Sequence, residues 1–379
     1  TESSGIAISI GHTTSETTIN DNLTVTGTAS INGASIGVNS DSVLAQSTGT
    51  GTGNTIFGKN AGDDFSAGSA NYNTLFGEDA GTAITTGDNN VVIGYIAGQT
   101  VTTTGNLVLV GKEAGGAINN NNASGTVAIG HVALQDLTSG GYNTALGYRA
   151  GYNVTTSDYS TFIGFEAGHG NNSTALTGNS NTVVGYRAGY ALEGAGQMNA
   201  IMGSLAGDAI TTGSYNTAIG NKALTDTTTA DKNTAVGYQA LLSNTASYNT
   251  SVGAYAGNHN TSGTYSTFIG YEAGFGNTSA KTTGNSNTAV GYRAGYLLQG
   301  AANNNTILGA FAGNTMTTTA NTVLVGYQAG YAINSADANG TVAIGKDALK
   351  SLTDGVDNLA IGRDAGENLT TANYNLFIG

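Results

Sequence analysis

Glu166 and Glu272 are the carboxylates best placed to suggest catalysis. They stand at matching places in "TFIGFEAG" and "TFIGYEAG", 106 residues apart. A glycosidase needs two carboxylates about 5–10 Å apart across a glycosidic bond. Here the same place in the following copy of the phrase holds Arg187 or Arg293. A column that alternates acid and base reads as a solvated face of mixed charge. No catalytic residue is assigned, no H-E-x-x-H zinc motif occurs, and the chain is not expected to be an enzyme.

Metal and cofactor chemistry find no better footing. The four histidines, His12, His131, His169 and His259, fall at unrelated places, and the last three are expected on exposed loops or strands. A metal site needs several ligands on one edge. Asp63-Asp64 and Asp88 could each offer calcium one ligand, but the G-G-x-G-x-D-x-U-x nonapeptide is absent. No metal site and no cofactor are assigned. Aromatic residues are more regular. Tyr or Phe recurs just after one glycine of the repeated phrase, as at Tyr95, Tyr148, Phe165, Tyr186 and Tyr292. Elsewhere that column holds Lys, Glu or Asn, so it lies at a surface. Tyr148 with Arg149, Tyr186 with Arg187 and Tyr292 with Arg293 are therefore the candidate ligand-binding residues, because rings beside polar groups can stack on sugars. The competing reading is that stacked Tyr rings cover the coils or pack between chains.

The elements that position these residues come from a repeat. The phrase N-T-x-Φ-G, with Φ apolar, ends on a glycine from Gly58 to Gly379 in 19 copies, spaced 16 to 21 residues apart. That period is too short for two helices and a turn, and suits one coil of a β-solenoid. Φ is Ile, Val, Leu, Phe or Met in every copy and is expected to face the core. Ala stands three residues after the glycine in all 18 copies that reach so far, which implies a narrow interior. The glycine itself supplies a bend or a positive φ. Asn opens the phrase in 13 copies, and stacked coils should align these amides in a ladder. Arcs rich in Thr, Asn, Gly and Ser absorb the length variation and should form loops. Gly164, Gly185 and Gly203 return as Gly270, Gly291 and Gly309, so six coils make a larger unit. The closing "NYNLFIG" has the form that opens such a unit, and the native polypeptide is expected to continue past Gly379.

The fold class predicted is all-β: a parallel β-solenoid, or β-roll, of about 19 coils over residues 51–379, preceded by a short β-stem over residues 1–50. Composition fits. The 379 residues include 59 Gly but no Pro, Cys or Trp, and only 9% are charged. A net charge of −13 with 11 basic residues argues against nucleic-acid binding. No run approaches the ~18 apolar residues of a membrane span. A flat Thr-x-Thr face would point to ice binding, but the Thr runs sit in arcs of changing length.

"NTAIGNKAL" (216–224), "NTAVGYQAL" (233–241) and "TVAIGKDAL" (341–349) resemble the head repeats of YadA-like trimeric autotransporter adhesins. "NTALGYRAG" is similar to repeats of phage tail-fibre proteins, and "DNLTVTGTASING" to their stem segments. The resemblance implies a left-handed parallel β-roll, a homotrimer and an extracellular fibre. The coil here is longer than the usual adhesin repeat and carries Ala-Gly where adhesins favour Ser-x-Ala. A broader, three-sided coil would accommodate the difference. The expected function is a structural and adhesive fibre, the shaft of a phage tail fibre or other virion appendage that meets a host-surface glycan or protein receptor. A bacterial cell-surface adhesin or filament subunit is the alternative, and a polysaccharide depolymerase a more distant one.

Overall fold

The computed structural model describes residues 51–65, 69–170 and 174–379. The expected stem over 1–50 lies outside the described residues, as does His12. The described chain contains 19 strands of three residues each, β1 (Thr55–Phe57) to β19 (Leu376–Ile378), one per coil. Every strand pairs in parallel with the next, in register, to give a single 19-stranded sheet. Coil n is named here for its strand βn. The two 3₁₀ turns, Asn121–Ala123 and Ala336–Ala338, sit in arcs.

The coil is not three-sided in sheet terms. Outside the strand its sides are stacked turns, because extended chain is interrupted at four places per coil. In coil 6 these are Tyr142 (φ 56°), Gly147 (139°), Arg149 (52°) and Gly151 (60°). L-residues avoid this region at a cost of roughly 1–2 kcal/mol each, and its regular use leaves only three residues of strand. Glycine is required at Gly147: besides the positive φ, a Cβ there would collide with the Gly164 carbonyl of the next coil.

The strand columns correct one expectation. The Φ residue does not face the core. In each strand the middle residue is buried, from Ile56 to Ala360, while the first and third point outward. Leu146 is 46% exposed, Phe76 53% and Met202 48%. Successive strand residues alternate faces, and the buried Asn before the strand sets the parity: Asn and the middle residue point in, so Φ points out. The interior takes three columns instead. One is the middle strand residue. The second is the Ala column, buried from Ala61 to Ala365 as expected. The third lies in the arc, seven residues after the glycine: Ile84, Val101, Ile118, Leu137, Val154, Leu192 and their successors.

These columns compensate for one another in volume. Where Leu follows the invariant Ala, the middle residue is always Ala: Leu134 with Ala128, Leu224 with Ala218, Leu241 with Ala235, Leu349 with Ala343; Ala145, Ala289 and Ala360 keep Gly at that place. Where the middle residue is Phe162, the same place is Gly168, and a Cβ there would overlap the ring. Close packing of this kind makes each methylene count.

The asparagine ladder forms, with the backbone as its main partner. Asn199 donates its N–H to Asn181 Oδ1 at 3.1 Å and its Nδ2 to the Gly213 carbonyl at 2.9 Å. Its own Oδ1 accepts from the Asn216 N–H at 2.9 Å. Ser160 keeps the ladder going where Asn is missing, since its Oγ accepts from the Asn181 N–H at 3.0 Å. A buried amide left without such partners costs about 1–3 kcal/mol, which explains why so few residue types occupy the column.

Candidate functional site

Tyr148 and Arg149 lie on coil 6, Tyr186 and Arg187 on coil 8, and Tyr292 and Arg293 on coil 14. Stacking brings the first four together and leaves the last pair in a second patch six coils away. The first patch has three rows. His131, Tyr148, Phe165 and Tyr186 stack with ring centroids 5.5, 5.1 and 5.6 Å apart. Tyr152, His169 and Tyr190 stack at 5.1 and 5.0 Å. Arg149, Glu166 and Arg187 follow the first row along the chain. The Arg149 guanidinium is 5.3 Å from both the Tyr148 and Tyr152 rings, and that of Arg187 is 4.0 Å from Tyr190. Arg187 Nε stands 3.4 Å from Glu166 Oε2.

The second patch repeats the plan. Tyr271 and Tyr292 stack at 5.7 Å, Phe275 and Tyr296 at 5.3 Å. Arg293 Nε donates to Glu272 Oε2 at 2.6 Å and its guanidinium lies 5.5 and 5.0 Å from the Tyr292 and Tyr296 rings. The hydrogen bond from Arg293 to Glu272 raises the guanidinium pKa above its ordinary value. Tyr271 is raised by its own hydrogen bond to Glu272 and by the carboxylate charge.

This geometry favours the covering role over the binding one. Rings stacked along the coil axis spend their faces on each other, so a sugar meets edges within a row. The guanidiniums of Arg187 and Arg293 are engaged by carboxylates and rings, each contact a modest one at an exposed site. The sugar-stacking face is left chiefly at row ends. Tyr186 is such an end: it is 51% exposed, and the next coil places Ser204 in its column.

His169 departs from the expected exposure. It is buried at 5%, held between Tyr152 and Tyr190, with Nδ1 2.7 Å from the Gly170 carbonyl. Asp88, a possible calcium ligand, uses Oδ1 to accept from the Asn71 N–H at 2.6 Å. Among the described residues no three His, Cys, Asp or Glu side chains converge on a point. The string "GASIG" (33–37) has the G-x-S-x-G form of a nucleophile elbow and lies outside the described residues.

A different feature dominates the surface. The two outward columns of β1–β19 contain no charged residue. The first column is Thr, Val, Ala or Leu; the third is the Φ column. Periodicity exposed the Φ column but misassigned its side, so the sequence held the signal for this face. Thr recurs regularly on strands, including six in succession from Thr217 to Thr306. The Φ column beside it varies from Val to Phe and Met, so the face is not the plane an ice lattice requires. No described helix is long and apolar enough to cross a membrane. No family model matches this chain, and no curated protein or solved structure shows significant similarity to it.

Proposed function

We propose that the chain is a shaft segment of an extracellular structural and adhesive fibre, of the kind carried as a phage tail fibre or other virion appendage, and that it self-associates as a homotrimer. A parallel β-solenoid is compatible with such a role: coils add length by repetition, each contacting only its neighbours.

One observation carries the reading: the uncharged, largely apolar outer face of the strands. Eighteen spacings of about 4.8 Å make it roughly 85 Å long, and three residues make it about 10 Å wide. That strip is comparable to the ~800 Å² per partner of a standard interface. Within it the Φ column is an unbroken apolar row, and exposed apolar patches of several hundred Å² mark interaction sites. Burying it at about 25 cal/mol per Å² would stabilise an assembly of thin-cored coils.

Sedimentation equilibrium of the full chain tests this, with three copies expected; a compact monomer would overturn self-association. Ile219→Lys combined with Ile269→Lys, both at exposed strand positions, should dissociate the assembly while far-UV circular dichroism stays unchanged. Immunogold labelling of the source particle or cell should mark a projecting fibre. Labelling confined to the interior would overturn the assignment as an appendage.

A further inference from the structure

Coil 4 spans two more residues than its neighbours, and the 3₁₀ turn Asn121–Ala123 carries the excess. It forms a ledge beside the arcs of the next coils. Under it opens a cleft of about 410 Å³ whose lining includes Asn122, Ser139, Tyr142, Thr156, Asp158 and Tyr159. From this cleft we infer a binding site for a neutral oligosaccharide, in which two tyrosines supply the apolar wall and one carboxylate and several amides and hydroxyls supply the hydrogen bonds.

The volume falls in the range of small-molecule sites, about 300–1,000 Å³. Tyr142 and Tyr159 stack at 5.4 Å with 3° between their planes, and are 61% and 65% exposed. The pair ends at Tyr159, beside which the next coil places only Ser180, so one ring face stays open to a sugar's C–H surface. Asp158 is held firmly. Its Oδ1 accepts from the Gly141 N–H at 2.8 Å and its N–H donates to Asn179 Oδ1 at 2.8 Å. Asp158 Oδ2, the Asn122 amide and the Ser139 and Thr156 hydroxyls make no hydrogen bond with described residues. A carboxylate oxygen accepts only, an amide both donates and accepts, and hydroxyls do either. That set matches vicinal hydroxyls. The lining contains no cation, and the chain carries a net charge of −13, which disfavours anionic glycans.

The chain contains its own control. The 3₁₀ turn Ala336–Ala338 creates an equivalent cleft of about 360 Å³. Asp337, Asp354, Thr371 and Asn373 stand there, each 215 residues after Asn122, Ser139, Thr156 and Asp158. Asp357 replaces Tyr142, so the ring pair is lost. Neutral-glycan binding is assigned to the first cleft alone. The site belongs to one chain and stands whether or not the strand face self-associates.

The test uses the full chain on an immobilised panel of neutral hexasaccharides of glucose, galactose, mannose and N-acetylglucosamine, beside polygalacturonate and heparin, with titration calorimetry on any hit. At least one neutral probe should bind. Tyr142→Asn, which keeps a residue tolerant of positive φ, and Asp158→Asn, which keeps the Oδ1 acceptor, should each weaken binding about tenfold or more, as loss of a hydrogen bond or stacking contact worth ~1.4 kcal/mol requires. Asp337→Asn at the second cleft should change nothing. Circular dichroism and sedimentation identical to the parent show that fold and assembly are intact. No neutral binding, preference for the anionic probes, or unchanged affinity in both variants would overturn the site.

Discussion

The six-coil unit around Phe162 and its copy around Phe268 share a backbone and differ inside. Both carry a buried Phe under a glycine, a Glu–Arg pair and a small bridge chain on the arc side. In the first copy that bridge runs Val154–Leu176–Gly194; in the second it runs Asn260–Thr282–Gly300. Ala145 likewise becomes Ser251. The apolar interior of the first copy thus gives way to a polar seam that continues through Asn244 and Thr227, and the hydrophobic core divides there, between Leu241 and Ala256. The seam is mostly satisfied. Thr282 Oγ1 donates to the Leu298 carbonyl at 2.5 Å, and Asn260 Nδ2 to Gly263 at 3.0 Å, while Asn260 Oδ1 and Ser251 Oγ have no partner. Two interiors on one backbone mean that the glycine, alanine and asparagine columns specify the coil, and that the third interior column is free to vary if its polar groups are paired.

Changing what the copies share should have the largest effect and should act on both alike. Gly164→Ala and Gly270→Ala each place a Cβ against the next glycine carbonyl at positive φ. Strain and overpacking together should cost about 3 kcal/mol, seen as early hydrogen exchange in the flanking coils. A tolerated alanine in either copy would break the claim that this column is common to both.

Changing what they do not share should separate them. Val154→Asn buries an amide in a fully apolar setting and should destabilise its coils by about 2–3 kcal/mol. Asn260→Val removes an acceptor that has no partner, and leaves Gly263 and Asn244 with bonds from Asn249. It should change stability by less than about 1 kcal/mol. Denaturant melts of the two variants measure the contrast, and equal losses would show that the seam is more than a tolerated substitution.

A histidine-linked pH effect should appear in the second copy. Burial, and then the Lys281 charge, lower the pKa of His259 below its ordinary 6.5. The neutral ring is favoured in the folded state, so the stability it supports is present above pH 6.5 and is lost as pH falls through the lowered folded value. Amide protection factors around residues 255–300, which correct for the intrinsic slowing of exchange in acid, should fall between pH 7 and 5. His259→Asn, which reproduces Asn153 of the first copy, should abolish that change.

The smallest difference concerns the ion pairs. Glu272→Gln breaks a 2.6 Å contact and Glu166→Gln a 3.4 Å one. Both arginines are about a third exposed, so each loss should stay within about 0.2–1 kcal/mol, the first being larger. The reverse order in thermal melts would show that distance does not set the strength of these pairs.

The period, the number of coils, the parallel stacking and the glycine, alanine and asparagine columns were legible in the sequence, because each rests on a residue whose chemistry allows few substitutes. The interior arc column was visible as Ile84, Val101 and Ile118 but was hidden by the Thr and Asn around it. Tyr148 and Arg149 could be seen as surface residues; that the faces of Tyr148 are spent on His131 and Phe165 could not, since those rings lie one coil away along the chain. The cleft was invisible because its walls come from three different arcs.

By itself the sequence determined that this chain repeats one coil 19 times with glycine where L-residues strain and asparagine where the backbone needs a partner. Only the tertiary structure decided which side of each strand faces in. A three-residue strand offers two apolar columns next to each other, and local pattern cannot choose between them. Closure of the coil, with asparagine turned inward to reach the next backbone, placed the variable residue in the core and left the invariant apolar one outside.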